Sequence, residues 1–136
     1  VTTPITSAIN AFKVLKINKI SIFTPYTDEI NQSLVNYFKS ENIEISELSY
    51  LDIASDLDIG KIDPNYLFET LINIDLSQSD ALFISCTALP VLSLIKDIEK
   101  KIGKIVLSSN QVLIWDTLKQ VNLKDQILNY GELFKN

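Results

Sequence analysis

Apolar and polar positions along this chain follow two different periods, and their order predicts strands alternating with helices. Residues 19–24 and 104–107 are predicted to form strands, and the apolar run 81–84 is typical of a strand covered on both faces. Residues 43–48 alternate, and the glutamates in and around this run indicate a strand near a sheet edge. Between these runs apolar residues recur every three or four positions, as on one face of a helix. The pattern therefore predicts four strands with helical segments between them.

Three prolines and a threonine indicate where helices begin. Pro4, Pro64 and Pro90 each suit the first turn of a helix, where a missing N–H costs little. Thr27 suits the N-cap of another helix. The apolar side that this helix is predicted to bury consists of Ile30, Leu34, Tyr37 and Phe38. The pattern weakens over residues 49–63, which predicts a long loop of the kind that often carries function.

The connections between the strands predict one α/β domain, residues 1–136, built on a doubly wound parallel sheet. Consecutive parallel strands need helical crossovers of one hand, which places helices on both faces of the sheet. The strand order expected for such a sheet is 2-1-3-4, the flavodoxin-like order. In that order the first and third strands are neighbours. Tyr26 and Cys86, which follow these two strands, are therefore predicted to face the same crevice.

Composition narrows the classes of protein to which the chain can belong. Its 136 residues carry a net charge of -5, which disfavours a nucleic acid or an anionic membrane surface as partner. All 12 basic residues are lysines, so no arginine is available to grip an anionic ligand. One cysteine and no histidine exclude an internal disulfide and a cysteine–histidine nucleophile, and they argue against a metal site. No apolar run approaches the length that spans a bilayer, so the default expectation is a cytoplasmic location.

The single cysteine stands where the pattern is most informative. Cys86 follows the apolar run 81–84 and precedes Pro90, so it is predicted to lie between the carboxyl end of a central strand and the amino end of a helix. Open α/β sheets bind ligands at such places, and a helix amino terminus favours anions and ionised thiols. The alternative is that Cys86 is a small, buried apolar side chain.

Three short motifs, taken together, resemble a known family. They are Thr24-Pro25-Tyr26 with Asn31, then Ile84-Ser85-Cys86-Thr87-Ala88-Leu89, then Ser108-Ser109-Asn110-Gln111 with Trp115. In this order and spacing they are similar to the second half of proteins of the aspartate/glutamate racemase superfamily. The resemblance is greatest to the branch of maleate cis-trans isomerases, arylmalonate decarboxylases and ectoine-utilisation proteins, and it covers nearly the whole chain.

The resemblance implies a role for each candidate site residue. Members of this family have two similar α/β halves, each with one cysteine at a site between them, and Cys86 matches the catalytic cysteine of the second half. Tyr26 matches a tyrosine that helps to hold a substrate carboxylate. Thr87 stands where the decarboxylases usually have glycine, which favours the isomerases and racemases. The other residues expected to bind substrate are Thr24, Ala88 and Asp56.

The resemblance also implies a cofactor-independent isomerase or racemase that acts on a small dicarboxylate or an amino-acid-like acid. A thiol suits this chemistry because it can move a proton beside a carboxylate or add across a conjugated double bond. Two-sided chemistry needs a second thiol, which this sequence lacks. Because the family's first half and any methionine are also missing, we expect the chain to be the carboxyl-terminal half of a longer enzyme, inactive by itself.

Three alternatives stay open at this point. The protein is a decarboxylase of the arylmalonate type, or the isolated domain is an inactive binding or structural module. In the third alternative, two copies pair as a homo-oligomer in which two Cys86 thiols imitate the missing arrangement. Both enzymatic alternatives keep a small carboxylate as the expected ligand. The sequence names neither the substrate nor the branch.

Overall fold

The computed structural model describes residues 1–123 and 127–136, and within these ranges four strands form one sheet. In chain order they are β1 (Lys19–Thr24), β2 (Glu44–Tyr50), β3 (Ala81–Ile84) and β4 (Ile105–Ser108). All neighbouring pairs are parallel, and the strand order is β2-β1-β3-β4. This confirms the predicted doubly wound sheet and the position of β2 at an edge.

Helices connect the strands in the order that the periodicity predicts. They are α1 (Pro4–Leu15), α2 (Asp28–Ser40), α3 (Asp56–Ile59), α4 (Pro64–Ile72), α5 (Ile95–Ile102) and α6 (Ser109–Gln120), with 3-10 turns at Leu92–Leu94 and Glu132–Lys135. Thr3 caps α1 and Asp63 caps α4 by accepting hydrogen bonds from backbone N–H groups, whereas the Thr27 side chain makes no such bond to α2. The predicted long loop after β2 contains the single turn α3.

The prediction that a helix begins at Pro90 is wrong. The chain from 85 to 91 follows no regular helix, a 3-10 turn comes next, and α5 begins only at Ile95. Leu89 and Val91 are both buried. The Val91 N–H bonds the Leu89 carbonyl two positions back, at 2.9 Å, which is the hydrogen bond of a γ-turn and not of a helix. Cys86 therefore does not lie at a helix amino terminus.

Two apolar clusters, one on each face of the sheet, form the core. The first packs α1, α2 and α6 on the sheet, and Phe12, Phe38 and Phe83 meet at its centre with ring centroids 5.5 to 5.7 Å apart. The second packs α3, α4 and α5 on the opposite face, with Leu67 and Ile95 fully buried. Helices thus cover both faces, as predicted.

One predicted buried stripe is partly exposed. On α2, Phe38 lies in the core, but Ile30 is 51% exposed and Tyr37 is 38% exposed. Both line an open groove beside the carboxyl ends of the strands. The helix turns Asn31 and Val35 inward instead. The apolar stripe on α2 is therefore wider than the face that this chain covers.

No helix among the described residues is both long and apolar enough to cross a membrane.

Candidate active site

Tyr26 and Cys86 meet at the carboxyl edge of the sheet, as the strand order predicts. Each follows one of two neighbouring strands, whose register pairs Phe23 of β1 with Ile84 of β3. Burial raises the pKa of the Tyr26 phenol, and a hydrogen bond with the Cys86 thiol raises it further, while a hydrogen bond with the Ser85 hydroxyl opposes the rise. The phenol therefore stays protonated and can donate a hydrogen bond throughout the physiological pH range.

The turn that carries Tyr26 is held from below by two fully buried side chains, Thr24 and Asn31. The Thr24 hydroxyl donates to the Asn31 side-chain oxygen and accepts from the Tyr26 N–H at 3.2 Å. The Asn31 amide donates to the Tyr26 carbonyl at 3.3 Å. Thr24 was expected among the substrate-binding residues. The structure places it beneath the turn, where its hydroxyl orients Tyr26.

Cys86 lies just below the surface rather than at the open mouth of a crevice. Only 4% of the residue is exposed, and it belongs to the second apolar cluster together with Ile59 and Leu89. Its Sγ nevertheless accepts a hydrogen bond from the Ala88 N–H at 3.3 Å and neighbours the Tyr26 phenol. Two polar groups thus reach a thiol that apolar side chains otherwise surround.

Three other predicted residues lie around this thiol at the edge of the molecule. Thr87 is exposed and Ala88 is half-buried, so both border the surface next to Cys86. Asp56 is exposed at the start of α3, and its charge adds to the causes that raise the pKa of Tyr26. A Cβ added at Gly60 would lie 3.9 Å from the Ala88 carbonyl, so the end of α3 approaches this turn.

Three polar residues at the site were not among the predicted site residues. Ser85 lines the groove together with Tyr26, Ser109 accepts the Cys86 N–H at 3.1 Å, and Asn110 donates to the Thr87 carbonyl at 2.9 Å. The sequence motif of residues 108–111 contributes to the family resemblance, but no site role was predicted for it. Ser108 does form a capping box with Gln111. The sequence did carry a signal for a role at the site, because this motif follows β4 directly and β4 is the neighbour of β3.

An open groove of about 520 Å³ begins beside these residues. Its walls come from the start of α1, the exposed side of α2 and the ends of β1 and β3. Among its lining residues are Ile5, Tyr26, Ile30, Tyr37, Ser85 and Thr87. Among the described residues no three histidine, cysteine, aspartate or glutamate side chains come together as a metal site would require.

The fold and the site define a class of protein: a flavodoxin-like α/β domain with a thiol and a phenol at the carboxyl edge of its sheet. The sequence profile of the family described as Amdase, arylmalonate decarboxylase, matches residues 1–134. The chain therefore belongs to this family.

Individual relatives agree with this assignment. The maleate isomerase of Geobacillus stearothermophilus is 31% identical over 126 residues, which make up 92% of this chain and 50% of that protein. The maleate cis-trans isomerase of Nocardia farcinica bound to TRIS has the same fold, with a TM-score of 0.93, 24% identity, and coverage of 98% of this chain and 55% of that one. A mutant of the Nocardia enzyme with a covalently bound succinylcysteine intermediate matches with a TM-score of 0.90, 24% identity, and coverage of 95% and 53%. The chain spans about half the length of the relatives it matches.

Proposed function

We propose that this chain is one half of a cofactor-independent cis-trans isomerase of the maleate isomerase type, in which Cys86 supplies one of two catalytic thiols. The main observation in favour is the arrangement of the Cys86 Sγ, which has the Ala88 N–H at 3.3 Å and the Tyr26 phenol beside it. The family match and the 31% identical maleate isomerase support the same reaction class. The substrate class is a small dicarboxylate.

Isomerisation of maleate to fumarate can be written with thiols as the only reacting groups of the protein. A thiolate adds to one alkene carbon of maleate while the other alkene carbon takes up a proton, which gives a succinyl thioether. The former double bond is now single and rotates. Loss of a proton from the same carbon and expulsion of the thiolate re-form the double bond in the trans geometry, which gives fumarate. The succinylcysteine intermediate of the Nocardia relative is consistent with this route.

The residues around Cys86 supply the polar groups that this reaction needs. Addition to the double bond places negative charge on a carboxylate-stabilised carbon, and preorganised donors stabilise such charge. The Tyr26 phenol is a protonated donor, and it would bind a substrate carboxylate together with Thr87 and the half-buried Ala88. Thr24 contributes by orienting Tyr26. Asp56 is exposed and carries a negative charge, so it would not bind a carboxylate of this substrate.

The second thiol and the far wall of the site would come from another α/β half. This chain has one cysteine and spans about half of its relatives. Ile30 and Tyr37 leave an exposed apolar groove next to Tyr26, which a second half would cover. A covering half would also exclude water from the nearly buried thiol, which strengthens the electrostatic effect of its neighbours.

Replacement of the thiol in the full gene product that carries this chain tests the proposal. We expect Cys86→Ser to lower turnover of maleate to fumarate by about a thousandfold or more, because a hydroxyl is a far weaker nucleophile and acid. The matched control is Ser93→Ala at an exposed position. Full activity of Cys86→Ser on maleate would contradict the proposal.

A decarboxylase is the second candidate, because the matching family profile is that of arylmalonate decarboxylase. Assays of the same gene product on maleate, aspartate, glutamate and substituted malonates separate the branches. Release of carbon dioxide from a substituted malonate, without turnover of maleate, would favour the decarboxylase. Thr87, at the position where the decarboxylases usually have glycine, leads us to expect the isomerase result.

A further inference from the structure

The segment that carries Cys86 lacks the helix expected to hold it. Residues 85–91 form an irregular connection, and α5 begins well beyond them. A reactive thiol needs a defined direction relative to its donors, since misplacement by about 1 Å can cost two orders of magnitude in rate. Other side chains must therefore fix this segment.

The first of these side chains is Ser109, which extends the hydrogen-bonding of the sheet beyond its last strand residue. The Ser85 N–H points to β1 and bonds the Phe23 carbonyl at 2.9 Å, so the next N–H, that of Cys86, points to the β4 side. On that side β4 has already ended at Ser108, and α6 begins at Ser109. The Ser109 Oγ accepts the Cys86 N–H at 3.1 Å, in place of a strand carbonyl. Ser109 is 4% exposed, which leaves this buried N–H few other partners.

The second side chain is Asn110, which acts through one peptide plane. Its Nδ2 donates to the Thr87 carbonyl at 2.9 Å. The Thr87 carbonyl and the Ala88 N–H belong to the same planar trans unit, so they point in opposite directions. Fixing the carbonyl toward Asn110 therefore aims the Ala88 N–H at the Cys86 Sγ, which it reaches at 3.3 Å.

From this geometry we propose that Ser109 and Asn110 are positioning residues for Cys86: Ser109 fixes its backbone, and Asn110 aims the Ala88 N–H at its Sγ. The inference rests on the proposed function, in which Cys86 is a reacting thiol. A hydrogen bond from an N–H favours the thiolate over the thiol. Without Asn110 the peptide plane can rotate, and the thiolate loses part of this stabilisation.

A pH titration of the thiolate ultraviolet absorbance in the gene product that carries this chain tests this inference. The difference spectrum against Cys86→Ser, recorded below the pH range in which tyrosines ionise, isolates the Cys86 thiol. We expect Asn110→Ala to move the midpoint upward by about 0.5 to 1 pH unit, since hydrogen bonds to charged groups contribute on the order of one such unit. The matched control, Asn36→Ala at an exposed position of α2, should leave the midpoint in place.

Ser109 provides the second arm of the test. Ser109→Ala should also raise the midpoint, whereas Ser109→Thr, which keeps the hydroxyl, should restore it. A purely structural role predicts lower melting temperatures with an unchanged midpoint, and that result would overturn the inference. An equal shift in Ser109→Thr and Ser109→Ala would overturn it for Ser109.

This titration needs no substrate, so its outcome is independent of the maleate assay. Shifted midpoints in a gene product that does not isomerise maleate would reject the proposed function and keep the positioning role. Maleate turnover lost in Cys86→Ser, together with unshifted midpoints in both alanine variants, would keep the function and reject the positioning role.

Discussion

Asp116 shows how uncharged hydrogen-bond donors keep a buried carboxylate ionised. The residue is 6% exposed on α6 and accepts hydrogen bonds from four uncharged side chains, at 2.7 to 3.3 Å. Burial raises the pKa of the Asp116 carboxyl, but the hydrogen bonds from Thr2, Ser7, Asn10 and Gln120 lower it by more. The net pKa lies below its usual range, so the folded state favours the carboxylate.

Replacement of Asp116 should destabilise the fold at neutral pH. We expect Asp116→Ala to lower the free energy of unfolding by about 2 kcal/mol, because it leaves several buried donors without an acceptor. Asp97→Ala, at an exposed position of α5, is the matched control. Urea denaturation at about pH 7 measures both. An Asp116→Ala variant as stable as the control would refute this account.

The lowered pKa of Asp116 also predicts that the free energy of unfolding decreases in acid. Because its folded-state pKa is lowered, its stabilising contribution is fully present above the unfolded pKa and is lost as pH falls through the folded pKa. The difference in unfolding free energy between Asp116→Ala and the wild type should therefore become smaller as pH falls, and urea denaturation over a range of pH measures it.

At the scale of elements, the carboxyl-terminal segment is fastened to α5 and α6 by polar contacts. Gln111 donates to the Tyr130 carbonyl at 2.7 Å, and Glu99 accepts the N–H groups of Val106 and Glu132, each at 3.0 Å. Burial raises the pKa of Glu99, against the effect of these two hydrogen bonds. The apolar end of the tail, Leu133 and Phe134, packs on the first core cluster.

Gly131 is the residue of the carboxyl-terminal segment where the packing against α5 and α6 leaves no room for a side chain. Its φ is +97°, and a Cβ there would approach Gln111 and Ile95 at 2.8 Å. We expect Gly131→Ala to cost about 2 kcal/mol of folding free energy, from backbone strain and crowding. Gly60→Ala is the control, since its φ is −65° and an added Cβ meets only ordinary contacts. Thermal unfolding of both variants measures the difference in stability. Equal melting temperatures would contradict the prediction.

At the scale of the whole molecule, the proposed function requires a second half that covers the groove beside Tyr26. We expect the 136-residue chain alone to leave maleate unchanged, because it has one thiol. Addition of a separately produced second α/β half of the gene product should restore turnover. Ile30→Glu should weaken this restoration, because it places a charge in the groove, whereas Tyr66→Ser at an exposed position of α4 should not.

Two outcomes would contradict the two-half arrangement. Turnover by the chain alone, together with a dimer in size-exclusion chromatography, would show that paired copies supply both thiols. Full restoration of maleate turnover in the Ile30→Glu variant would show that the second half does not contact the groove at Ile30. The cytoplasmic location and the extent of the domain, residues 1–136, stay predictions.

Local sequence determined most of the fold. Apolar runs, alternation and helix-start residues predicted four strands, their order and helices on both faces, because these features depend on burial and backbone preference over short distances. Adjacency of Tyr26 and Cys86 followed from strand order. Local signals failed at Pro90, because a tight turn from Leu89 to Val91 delays the helix until Ile95.

Tertiary structure alone decided how the thiol is held. Its burial, the Ala88 N–H on its Sγ, and its support by Ser109 and Asn110 depend on where β4 ends relative to β3, a relation between segments more than twenty residues apart. The periodicity likewise could not predict that one side of α2 is exposed. An apolar stripe has the same spacing whether it packs against this chain or against another. Sequence patterns report what a segment prefers to bury, and only packing determines what buries it.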